Sequence, residues 1–216
     1  LSDVLRDTNF GDGTLNKLSY GAATTLDVTE TVCDVINVAD MAKNMYKAGP
    51  QVSERLDISS TNAAGEKQFV DNPFDEAGNL KPNVKYTSGE FGYNYETDDM
   101  GRLTNWQADE LHLTDRTSRL KHDANTPGKL AGDHAGHLAG DRFGGSPKLD
   151  NLVSQDSHVN LSDYKKIENT WADALKEGKN VSTNVSVVYE ANSVRPSKFI
   201  VDYSIDGELF SAEIFN

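Results

Sequence analysis

A single amphipathic helix pattern set between strand-like runs is what most limits how this chain can fold. Over residues 162–176, Tyr164, Ile167, Trp171, Ala174 and Leu175 recur at helical spacing, and Gly178 is placed to end the run. Asn160 or Ser162 supplies the N-cap. Upstream, residues 84–87 and 91–97 are aromatic and β-branched with Ser88-Gly89 between them, which is a hairpin pattern. Residues 103–108 read as a further strand, expected to run on to Leu113. Downstream, residues 181–189 put Val181, Val185 and Val187 on one face. Asp206-Gly207 is a tight-turn dipeptide joining residues 198–204 to residues 208–215. A sheet with one apolar face needs cover, and one helix with one apolar stripe provides it. The expectation is an α+β fold, a twisted antiparallel sheet with a single well-defined helix against it.

The N-terminal part reads differently. Residues 1–25 are polar and Gly-rich, and apolar residues recur at helical spacing from Leu26 to Tyr46, with Thr25 or Asp27 as cap and Gly49-Pro50 as stop. Residues 50–80 are polar and carry the turn signals Asn72-Pro73 and Ala77-Gly78-Asn79. We therefore expect a partly helical linker segment over residues 1–80 and a second domain over residues 81–216. The chain opens at Leu1 rather than Met, as expected of a piece of a longer polypeptide. It contains no signal-peptide pattern and no apolar run near the ~20 residues a membrane span needs, so no membrane partner is expected. Its single cysteine, Cys33, excludes an internal disulfide framework and a Cys-based zinc site.

The net charge of −13 runs against nucleic-acid binding, which normally draws on a basic surface. The distribution matters more than the total. Residues 1–100 hold 8 Lys+Arg against 17 Asp+Glu, whereas residues 102–148 hold 7 against 6. Residues 114–136 form a long Pro/Gly-punctuated loop with Arg116, Arg119, Lys121, His122 and Lys129, a cationic lip suited to a phosphodiester backbone.

Between Gly132 and Glu168 lie the residues that carry chemistry. A Gly136-His137 pair precedes Asn151 and Asn160, and Glu168 follows Asn160 by eight residues. An imidazole titrates near neutrality and can take a proton from water. A carboxamide oxygen suits Mg²⁺, which uses few protein ligands and keeps several waters. Eight residues are a little over two helical turns, so Glu168 falls on the same broad face as Asn160. Gly136 allows close backbone approach, here expected to serve a phosphate.

The order Gly136-His137, Asn151-Leu152-Val153-Ser154-Gln155, Asn160 and Glu168 resembles the DNA/RNA non-specific endonucleases, whose active site is a ββα-metal (His-Me) finger. The run from His137 to Gly145, followed by Asp150 to Gln155, is similar to the branch that forms C-terminal toxin modules of bacterial polymorphic toxins. The resemblance implies His137 as general base, Asn160 as ligand of Mg²⁺ (Mn²⁺ as the alternative), Glu168 acting on metal-bound water, and Asn151 bracing the site. The family's D-R-G-H run is D-H-A-G-H here, so Ala135 stands where an arginine would offset charge on the phosphorane. Arg142 is the best local substitute, with Arg102 and Arg119 behind it; Arg102, Arg116, Arg119 and Lys121 are the candidate substrate-binding cations.

The resemblance further implies Mg²⁺-dependent hydrolysis of DNA, with RNA as an alternative substrate, leaving 5′-phosphate and 3′-hydroxyl ends with little sequence preference. It also implies delivery into a target cell within a larger secreted effector, and a cognate immunity protein as partner. Two other readings are a zinc site from His112, His122, His134 and His137, and a non-catalytic adhesion or assembly module of a larger secreted protein.

Overall fold

The computed structural model describes residues 45–47 and 67–216. Strands β1 (Met45–Lys47), β2 (Gln68–Phe69), β3 (Val84–Ser88), β4 (Tyr93–Thr97) and β5 (Leu103–Ala108) precede a short ribbon of β6 (His134–His137) and β7 (Leu152–Gln155). Helix α1 (Tyr164–Lys176) follows, and then β8 (Val181–Tyr189), β9 (Pro196–Ile205) and β10 (Glu208–Phe215). Eight strands form one sheet in the order β1-β10-β9-β8-β5-β4-β3-β2, antiparallel throughout except for the β2–β3 pair. The β6–β7 ribbon is separate from it. The architecture is α+β, mostly sheet, with one long helix among the described residues and a ββα unit formed by β6, β7 and α1. None of the described helices is long and apolar enough to cross a membrane.

Alternation makes the hairpin. Val84 and Tyr86 of β3, and Tyr93, Tyr95 and Thr97 of β4, point inward while their neighbours stay more exposed. The inward aromatics stack across strands: Tyr86 on Tyr95 at 5.4 Å, then Tyr95 on Trp106 of β5 at 6.5 Å. Trp106 meets Trp171 of α1 edge-on at 6.2 Å. Trp171 also contacts Phe143, Tyr164 and Tyr203, so the helix is fixed to the sheet by one fully buried indole. Removing such a side chain costs about 3–5 kcal/mol. At the far hairpin, Asp206 (φ 49) and Gly207 (φ 82) give the doubly left-handed turn that the strand twist requires.

Three local expectations change. Met45 and Tyr46 lie in a strand paired with Ala212 and Ser211, not at the end of a helix. The rest of residues 1–46, including Cys33, lies outside the described residues, as do Gly49-Pro50. Both β1 and β2 join the sheet from the segment assigned to residues 1–80. Strand β5 stops at Ala108 instead of continuing to Leu113, and Leu111 instead donates its N–H to the Val181 carbonyl.

The helix also begins earlier than its apolar stripe suggests. Asp156 caps it, its Oδ1 accepting from the His158 N–H at 2.8 Å and its carbonyl from the Asn160 N–H at 3.0 Å. A π-helical turn over Val159–Asp163 then leads into α1. Neither Asn160 nor Ser162 is the cap, because both already lie inside the helical ladder. Wide turns of this kind are frequent at functional sites.

Candidate active site

The ribbon is held by its connecting loop. Asn151, fully buried, makes four hydrogen bonds: Oδ1 accepts from the Ala139 N–H and the Tyr95 hydroxyl, each 2.8 Å, while Nδ2 donates to the Ala139 and Ser146 carbonyls at 2.9 and 2.8 Å. Next to it, Tyr86 donates to the Asp150 carbonyl and Ser88 to Asp150 Oδ2. Hydroxyl groups from the sheet thus fix the turn between β6 and β7. With all its hydrogen-bonding capacity used internally, Asn151 braces the loop between β6 and β7.

His137 ends β6 opposite Leu152 and is 7% exposed. Its pKa is lowered from 6.5 to about 4, mainly by burial, then by His122 and Arg119, with Asp141 opposing. The His122 ring stands edge-on to it at 5.2 Å. Both His122 and Arg119 arrive on the long loop of residues 109–133, which has no helix or strand. That loop is anchored over the ribbon: Thr126 Oγ1 pairs with Ser154 Oγ at 2.7 Å, and the Asp123 N–H donates to the Pro147 carbonyl.

Glu168 reaches the same region from α1. It is buried, and burial raises its pKa, against the pull of Lys165, Arg142 and Arg119. A Cβ on Gly140 would collide with its Oε1, so the glycine leaves room for this carboxylate beside the loop after His137. Arg119 is exposed, acts electrostatically on both His137 and Glu168, and has no hydrogen-bond or ion-pair partner among the described residues. Gly136 has a different duty from the one expected: a Cβ there would run into the buried Gln155 side chain, so it makes space for Gln155 and not for a phosphate.

Asn160, half-buried, sits in the π-helical turn, and its Nδ2 lies 3.0 Å from His134 Nδ1. Its carboxamide oxygen accepts no hydrogen bond among the described residues. A neutral carboxamide oxygen without a partner among the described residues, and without thiolates beside it, is a ligand type that suits a hard divalent cation keeping most of its waters. No group of three or more His, Cys, Asp or Glu side chains gathers into a metal site among the described residues. The four histidines do not assemble: His112 packs on Phe91, His134 meets Asn160, and His122 meets His137.

The candidate cations separate into two groups. Arg102 is engaged elsewhere, pairing with Asp98 at 2.7 Å, donating to the Ala191 and Ser193 carbonyls, and stacking on Tyr189. Arg116 is spent between Glu90 and Asp141, each at 3.0 Å, and so secures the loop to the turn after β6. Both guanidinium groups are thus held in pairs within the chain. Arg142 donates to Asn169 Oδ1 at 2.7 Å and sends its charge toward Glu168. Arg119 and Lys121 remain exposed. Sequence reasoning missed the contact of His134 with Asn160, and Arg195, which grips Asp133 through two hydrogen bonds.

Comparison with known proteins places these residues in a family. A family model described as DNA/RNA non-specific endonuclease matches residues 82–207. The type VII secretion system protein EssD of Staphylococcus aureus (strain USA300) is 37% identical over 145 residues, 63% of this chain and 24% of that protein. The match to the protein of strain Newman has the same identity over 23% of its length. The chain therefore spans about a quarter of the relatives it matches. Among solved structures, Sda1 nuclease with bound zinc ion has a TM-score of 0.36 at 24% identity, covering 39% of this chain and 38% of that one. An extracellular nuclease has a TM-score of 0.38 at 16% identity, covering 61% and 88%.

Proposed function

The chain belongs to the DNA/RNA non-specific endonuclease family, and from that premise we propose that it hydrolyses DNA phosphodiester bonds with His137 as general base and Mg²⁺ as cofactor. The observation that carries this reading is His137 itself. With its pKa near 4, the imidazole is neutral at physiological pH and can accept a proton from an attacking water. A bound substrate phosphate brings negative charge beside the ring and raises its proton affinity as the reaction begins.

Asn160 would hold the cation through its carboxamide oxygen, and Glu168 would hold water near it without itself being a ligand. When bound, the cation supplies Lewis-acid stabilisation of the phosphate and of the leaving oxygen. Arg119 offsets the charge that grows on the phosphorus centre. Its exposure, its lack of a partner among the described residues and its electrostatic reach to His137 and Glu168 support it over Arg142 in that role. Lys121 adds a backbone contact from the same loop. Contacts to phosphate carry no base information, in keeping with weak sequence preference.

The catalytic part is residues 81–216, with β1 and β2 extending its sheet. Similarity to a type VII secretion system protein supports a role as the nuclease end of a larger secreted antibacterial effector, for which a cognate immunity protein is the expected partner. The test is incubation of the purified chain with plasmid DNA and, separately, with RNA, each in Mg²⁺, Mn²⁺ or EDTA. Metal-dependent conversion of supercoiled plasmid to open circles supports the proposal. Intact plasmid in all three conditions refutes it.

A further inference from the structure

We propose that His134 is a positioning residue: its Nδ1 accepts a hydrogen bond from Asn160 Nδ2 and leaves the carboxamide oxygen as the atom offered to a divalent cation. The inference rests on reading Asn160 as the metal ligand and adds what sets the orientation of that ligand. A carboxamide is nearly symmetric in shape, and turning it by half a circle exchanges its oxygen with its NH₂. An NH₂ group directed at a cation repels it. Some neighbour must therefore tell the two orientations apart.

His134 is placed to do so. It opens β6 directly opposite Gln155, so its backbone is fixed by the ribbon. The residue before it, Asp133, is held by Arg195 at 2.7 and 2.9 Å and accepts from the Leu130 N–H at 2.9 Å. Asn160 is fixed by its backbone bond to the Asp156 carbonyl. From these two anchored backbones the side chains meet at 3.0 Å. An Nδ1 that carries no proton presents only a lone pair, which accepts from NH₂ and rejects the carboxamide oxygen. Outer partners of this kind typically change metal affinity by about 10- to 100-fold when removed.

The experiment measures Mn²⁺ binding to the whole chain, by calorimetry and by the electron paramagnetic resonance signal of free Mn²⁺, without substrate. His134→Leu removes the acceptor while filling space, and His134→Asn puts an acceptor oxygen where Nδ1 stood. The expected result is Mn²⁺ binding weakened about 10- to 100-fold in His134→Leu and restored to within about 3-fold in His134→Asn. Asn160→Ala should abolish it. Unchanged or tighter binding in His134→Leu, with binding lost in Asn160→Ala, overturns the positioning role and leaves the Asn160 ligand standing. Equal loss in both His134 variants also overturns it, since the acceptor alone would then not suffice. Undiminished binding in Asn160→Ala removes the ligand reading, and the positioning role with it. Melting curves of all variants confirm that each is folded when binding is measured.

Discussion

Arg195 grips Asp133 in a two-pronged pair, Nε to Oδ2 at 2.7 Å and Nη2 to Oδ1 at 2.9 Å, across 62 residues of sequence. The aspartate precedes β6 and the arginine precedes β9, so this contact ties the ribbon that bears His134 and His137 to the large sheet. The Asp133 side chain is 3% exposed, and the guanidinium holds its carboxyl below the usual range.

Removing the arginine strands a buried carboxylate, so Arg195→Ala should lose about 3–5 kcal/mol of stability, read from urea unfolding at pH 7. Because the pKa of Asp133 is depressed in the fold, its contribution is present above the unfolded value of 3.8 and disappears as pH falls through the lower folded value. A loss under about 1 kcal/mol would mean that water replaces the guanidinium and that the clamp is a surface contact.

Glu168 presents the opposite case. Burial raises its pKa, so the protonated form is favoured in the fold: that stability is present below the unfolded value of 4.5 and lost as pH rises through the raised folded value. Glu168→Gln should therefore raise the melting temperature at neutral pH, by the equivalent of about 1 kcal/mol, while reducing kcat by about 10- to 100-fold. A variant both stable and fully active would show that the carboxylate has no part in the reaction.

Arg119 and Arg102 should behave as opposites. Arg119→Ala is expected to lower kcat/KM by about 100-fold with an unchanged urea midpoint. Arg102→Ala removes the hydrogen bonds to the Ala191 and Ser193 carbonyls and the packing on Tyr189, and should cost about 1–3 kcal/mol with kcat/KM unchanged. Reversal of the two patterns would move the substrate-facing cation to the other arginine.

The contrast between these arginines shows what the sequence could carry. Asp98 and Arg102 lie four residues apart, a local pair visible in the sequence, yet the carbonyls Arg102 serves are about ninety residues away. The β3–β4 hairpin and α1 were legible because each has one wet face, which imprints alternation or a helical stripe, whereas the edge strands β1 and β2 were not read as strands. Strands β6 and β7 were not legible from periodicity: β7 is buried at every position and β6 at three of four, so no polar face marks them. Only the Gly-His and Asn spacing pointed there. The helix start was missed because the cap is Asp156, three residues ahead of the π-helical turn. Gly136 was assigned to a phosphate because Gln155, nineteen residues on, could not be seen to fill the space beneath it.

The pH dependence follows from His137. The folded pKa is near 4 against 6.5 in the unfolded chain, so between those values the unfolded chain binds a proton that the native one does not. Stability falls as pH drops through that window, by a total on the order of 3 kcal/mol from this group. Unfolding of wild type and His137→Asn at pH 6.5 and 4.5 should show a smaller loss in the variant. The acidic limb of kcat/KM, which reports the free enzyme, should lie near pH 4; a limb at 6.5 would mean an unperturbed imidazole.

The most direct measurement is plasmid nicking in Mg²⁺ by His137→Ala, purified free of host nuclease and shown by circular dichroism to keep the wild-type fold. Nicking reduced by at least about 10²-fold is the expected result. Nicking at the wild-type rate would contradict the assignment of the base, and with it the account of how this site cleaves nucleic acid.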